Sequence, residues 1–176
     1  MLAIMYSVSD SDRPCLVPSA PQSSVGAPCP VVLAEEHVLR LSYYLESERL
    51  TPEWLAAPVR PPRPNWSDDL CAVVTFERAY AHMFGPPNDE AFSGHPLAAR
   101  GLEPHSVFEI AHSSWLRGLM QMNSVHPYHR VDRFSALRHW VFSFHDSTFE
   151  CIALGYSIGL ARGTPWSVLE DVANDG

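Results

Sequence analysis

LRHWVFSFHDSTFECIALGYSI, residues 137–158, decides how the chain folds. Two alternating runs flank Asp146-Ser147, a pattern that predicts a tight β-hairpin. With those two residues as the loop, Phe144 opposes Phe149, Ser143 opposes Glu150 and Phe142 opposes Cys151. Side chains alternate between the faces of a strand. Trp140, Phe142, Phe144, Phe149, Cys151 and Ala153 therefore share an apolar face that reads as core. His139, Val141, Ser143, His145, Thr148, Glu150 and Ile152 share the other. That face is too polar for a plain core and too apolar for plain solvent. Such a face is most often a half-exposed sheet surface; the wall of a polar-lined cavity is the functional alternative. A slip of one residue would exchange the two faces.

Upstream, Ser106–His112 reads as a strand that runs straight into a helix. Ser113 or Ser114 supplies the N-cap, because a hydroxyl accepts from the free amides of the first turn. Trp115, Leu116, Leu119, Met120 and Met122 form the helix's apolar stripe, and the helix ends before Pro127. Residues 70–84 read as one long strand, stopped by Gly85-Pro86-Pro87-Asn88-Asp89. Residues 31–46 read as a strand, with a helix as the alternative. Residues 51–66 hold five prolines and read as an extended connector after a short turn of helix. Thr164-Pro165 opens a C-terminal helix. The sum is an α+β domain, an antiparallel β-sheet packed against one main helix; a β-sandwich or barrel with a crossing helix is the alternative.

Residues 1–30 are rich in Ser and Pro and keep no period. They are expected to be a disordered arm, because such a stretch buries too little apolar surface to offset its ordering entropy. A single domain is expected over 31–176.

The net charge is -8, with only 12 Lys and Arg. No basic cluster is present, which argues against a nucleic-acid partner. Met1–Tyr6 carries no charged lead-in to an apolar run, so no secretion signal is read there. No stretch approaches a membrane span. Cys15, Cys29, Cys71 and Cys151 show no metal or redox spacing and suit a reducing cytoplasm.

Of the nine histidines, His95, His105, His112, His126, His129, His139 and His145 fall within residues 95–145. A divalent metal is the one cofactor this density admits. Its spacing is poor: HExxH is absent, and His139 and His145 stand about 20 Å apart along a strand. Metal candidates brought together by folding are His112, His145 and Glu109. Cys151 falls on the core face and reads as packing, and no GxSxG turn exposes Ser143 as a nucleophile. The junction at His112-Ser113-Ser114 offers free helix amides, with Arg117 beside it, as a place for an anion.

Two functions follow. The first is a small cytoplasmic binding or accessory protein with a polar-lined pocket on one sheet face, taking a small molecule or a protein partner. Its ligand-binding candidates are Ser143, His139, Arg117 and His95. The second is a metal-dependent or acid–base enzyme using a His/Glu cluster, with His145, Glu150 and His112 as catalytic candidates. The oligomeric state is not legible.

Overall fold

In a computed structural model, residues 6–174 are described. Residues 1–5, which bear on the signal-peptide reading, and residues 175 and 176 lie outside them. The strands are β1 (Arg13–Leu16), β2 (Val31–Ala34), β3 (Leu39–Tyr44), β4 (Val59–Arg60), β5 (Leu70–Glu77), β6 (Ala81–Gly85), β7 (Val107–Ala111), β8 (Arg138–Ser143), β9 (Thr148–Ala153) and β10 (Gly155–Arg162). The helices are α1 (Pro52–Leu55), α2 (Ser114–Asn123), α3 (Val131–Ser135) and α4 (Pro165–Asn174). Where the sequence reads as one domain from Val31, the contacts gather into two compact units: residues 6–17 with 80–155, and residues 18–79 with 156–174.

The first unit is a five-stranded sheet in the order β1-β7-β8-β9-β6, antiparallel throughout. Trp115, Leu116, Leu119 and Met120 of α2 pack against Phe134, Leu137 and Ile152. Phe92, Leu97, Leu102, Phe108, Ile110 and Val141 form a second apolar cluster. The second unit is a five-stranded sheet in the order β2-β3-β5-β10-β4, with only β10 and β4 parallel among its described pairs. Val168 and Leu169 of α4 pack there on Cys71, Val73 and Ala161. The α+β class holds, and among the described residues no sheet closes into a barrel.

The hairpin is present with its loop displaced by one residue. Phe144 N–H donates to the Ser147 carbonyl at 2.8 Å, so the chain turns over His145-Asp146. Phe142 opposes Phe149, and Glu150 opposes Val141 rather than Ser143. The shift moves each partner by two residues, and an even shift keeps every side chain on its expected face. Phe142 and Phe149 are fully buried, as the core reading requires. The mixed face differs from expectation: His139, Val141, Glu150 and Ile152 are fully buried as well. Its Val141 and Ile152 belong to the two apolar clusters, so this face is also core.

Three further stretches depart from the sequence reading. Residues 70–84 break at Arg78, whose left-handed φ of 49° ends β5 and starts β6 in the other sheet. Residues 31–46 are two strands joined by a turn, closed by Glu35 N–H donating to the Val38 carbonyl. Residues 6–30, expected to be disordered, hold β1, a bridge between Ser23 and Leu45, and a hydrogen bond from Tyr43 to the Pro21 carbonyl. A strand at a sheet edge borrows its partner's hydrogen bonds and needs no apolar period of its own. An edge also tolerates Pro14, which has no N–H to give.

Candidate functional site

Three groupings of polar side chains stand out, all in the first unit. The deepest surrounds Glu150. Its Oε2 accepts from the Tyr6 hydroxyl at 2.8 Å and from His139 Nε2 at 2.8 Å, while Oε1 accepts from His95 Nε2 at 3.1 Å. The His95 proton is placed by its neighbour: Leu97 N–H donates to Nδ1 at 3.1 Å, leaving Nε2 to donate. His139 is set by α2. Ser113 Oγ accepts from Leu116 N–H at 3.1 Å as the N-cap, and its own proton is then free for His139 Nδ1 at 2.9 Å. Burial pushes the Glu150 carboxyl up, but donors from His139 and His95 outweigh it and hold the group down to about 2. The same burial and the adjacent carboxylate push the Tyr6 phenol well up. Tyr6 also stacks on Trp115, with ring centroids 5.7 Å apart.

This arrangement gathers three of the expected residues, Glu150, His139 and His95, but not around a ligand. Each carboxylate oxygen already has a donor, and Glu150, His139 and His95 are buried. His145 and His112 do not join Glu150; the acid–base trio of His145, Glu150 and His112 is not assembled. Ser143 is likewise structural: its hydroxyl lies 3.0 Å from the Glu103 and Ser106 carbonyls and accepts from Ser106 N–H at 3.1 Å.

The second grouping is the anion site expected at the start of α2. The chain fills it itself. Asp12 Oδ2 accepts from Ser114 N–H at 3.1 Å, and Oδ1 accepts from Ser114 Oγ at 2.8 Å and Arg117 Nη2 at 3.2 Å. Although burial raises it, the Asp12 carboxyl sits below its usual range because Ser114, Ser9 and Arg117 all donate to it. Beside this junction opens a cleft of about 440 Å³, lined by Glu109, His112, Arg117, Arg138 and His139 over Leu116, Phe134 and Leu137. His112 has a left-handed φ of 56° where β7 turns into α2. Its exposed imidazole makes no hydrogen bond among the described residues. Arg138 Nε lies 3.4 Å from Glu109 Oε1, and its Nη1 donates to the Ser135 and Leu137 carbonyls.

The third grouping lies at the hairpin turn. Asp89 Oδ2 accepts from His145 Nδ1 at 2.7 Å and from His105 Nε2 at 3.1 Å. The two imidazoles stack with centroids 6.2 Å apart. The loop is tied to the turn by Asp89 N–H donating to the His145 carbonyl at 2.9 Å. The hydrogen bond to Asp89 raises His145, and the same bond lowers Asp89. The metal trio expected from the sequence, His112, His145 and Glu109, does not converge. Only His145 enters a cluster with ligand spacing, and its companions there are Asp89 and His105.

No family model, curated protein or solved structure matches this chain. The reading of function therefore rests on this geometry alone. Sequence reasoning missed Tyr6 and Asp12, because both lie in the stretch expected to be disordered. It also missed Asp89, which reads as the tail of a Gly-Pro-Pro-Asn-Asp break. His105 was one of the seven clustered histidines, but nothing in the spacing joins it to Asp89 or His145.

Proposed function

We propose that this chain is a small binding or accessory protein whose ligand occupies the cleft between β7, α2, α3 and β8. One observation carries the reading: two unspent donors face an apolar floor in a cleft of about 440 Å³. They are the His112 imidazole and Arg138 Nη2, neither with a hydrogen-bond acceptor among the described residues. The volume suits a small ligand. Leu116, Phe134 and Leu137 would hold an apolar body, while His112 and Arg138 hold a carboxylate-type head. The buried Glu150 cluster supports binding over acid–base catalysis, because a carboxylate closed to water meets no substrate.

A reducing, cytoplasmic setting belongs to the same reading. All four cysteines are free, which supports it. Among the described residues no helix is long and apolar enough to cross a membrane. A second cleft, in the other unit, is lined by Glu46, Glu48, Asp68 and Asp69 with Arg162, a set that suits a carboxylate head less well.

The reading is tested by titrating isotope-labelled protein with hexanoate and benzoate while following His112 and Arg138 side-chain resonances. Saturable shifts confined to this cleft, weakened at least tenfold by Arg138→Ala, are expected. Shifts scattered over the surface, or none at millimolar ligand, overturn it.

A further inference from the structure

The Asp89 cluster is separate from that cleft and calls for its own explanation. We propose that Asp89, His105 and His145 form a binding site for one divalent first-row transition ion of the zinc or cobalt class. One ligand atom from each residue lies within 4.8 Å of the others. The Asp89 Oδ2 separations, 2.7 Å to His145 Nδ1 and 3.1 Å to His105 Nε2, resemble those of ligands sharing one ion. Bonds of about 2.0–2.2 Å place two ligands of a four- or six-coordinate ion roughly 3 Å apart.

A second observation points to a cation. Asp89 Oδ1 is buried and makes no hydrogen bond among the described residues. Both imidazoles approach Oδ2, so the second carboxylate oxygen is buried without a donor and leaves the cluster electron-rich. The donor set narrows the ion. Two imidazoles and one carboxylate suit zinc, cobalt, nickel or ferrous iron, whereas magnesium and calcium require all-oxygen shells. Three protein ligands leave at least one position for water or an exogenous group.

The ligands come from three segments, and each is held. Asp89 follows Pro87, whose carbonyl accepts from Thr148 Oγ1 at 2.9 Å. His105 is fixed in the left-handed region, with φ of 56°. His145 sits in the hairpin turn, and Asp146 Oδ1 stands 3.8 Å from its outer nitrogen. The three side chains are intermediate in exposure, at 19%, 20% and 41% for Asp89, His105 and His145, so an ion has access from solvent.

The test uses the full chain purified without a tag and stripped of metal. Addition of cobalt(II) is expected to give one equivalent per chain, with a visible absorption band and paramagnetic shifts of the His105 and His145 ring protons. Zinc should displace it, and magnesium should not. His105→Ala and Asp89→Asn should each weaken uptake by at least tenfold, while His112→Ala in the separate cleft leaves it unchanged. If either variant fails to fold, the ring-proton shifts of the unaltered protein decide the matter. No uptake at millimolar cobalt, or uptake that leaves those two rings unshifted, overturns the site and shows the trio to be a hydrogen-bonded cluster.

Discussion

A carboxylate removed from water must be protonated or ringed by donors. Glu150 takes the second course, with Tyr6, His139 and His95 each giving one proton to it. Glu150→Gln keeps the shape but turns one oxygen into an NH2 facing a donor. A hydrogen bond to a charged acceptor is worth about 1.5–3 kcal/mol, and a buried donor left unmatched costs a similar amount, so urea unfolding at pH 7 should show a loss of about 3 kcal/mol. A change below about 1 kcal/mol, the worth of an ordinary net hydrogen bond, would mean that Glu150 is not the hub of the cluster. The pH dependence follows from the same environment. The folded carboxyl titrates at about 2 against an ordinary value of 4.5. Its contribution is therefore complete above 4.5 and lost as the pH falls towards 2. Wild-type stability should decline through that window, and the Gln variant should lack this share of the decline. The polar residues were legible as a group on one strand face, yet their partners were not. The sequence shows that His139 and Glu150 face the same way; it does not show that Tyr6 arrives from more than a hundred residues away.

At the scale of elements, the helix cap and the buried carboxylate form one chain of hydrogen bonds. Leu116 N–H donates to Ser113 Oγ, Ser113 supports His139, and His139 supports Glu150. Ser113→Ala thus removes a cap worth about 1 kcal/mol and leaves buried His139 Nδ1 without a partner, a further loss of about 1–3 kcal/mol. Thermal or urea unfolding should show the sum; a loss matching the cap alone would mean that the hydroxyl serves only the helix. Ser113 was readable as a cap because its cause is local. The hairpin faces were readable for the same reason: alternation is a property of consecutive residues, and it survived a two-residue error in register. What covers a face is not local. The polar composition of the His139–Glu150 face suggested a half-exposed surface or a cavity wall, whereas α2 and the segment around Phe92 and Leu97 close over it.

For the molecule as a whole, the largest difference from the sequence reading is the N-terminal segment. Low apolar content argues against a self-sufficient fold, but this segment does not fold by itself. Pro14 and Cys15 pair with Ile110 and Glu109 on a ready-made edge, Tyr6 joins the Glu150 cluster, and Asp12 caps α2. Each contribution is one residue inserted into a site built elsewhere, which composition cannot reveal. The register makes a prediction for hydrogen exchange. Val17 N–H donates to the Val107 carbonyl at 2.8 Å, and bonded pairs alternate along an antiparallel ladder. The amides of Cys15 and Val17 should therefore be protected, while that of Leu16, facing outwards, should exchange quickly. A disordered arm would show all three exchanging at the rate of a free peptide. Asp12→Ala supplies the complementary measurement: it should raise exchange at both the Ser114 amide and the Val17 amide, because the cap and the edge strand are held by the same short stretch of chain.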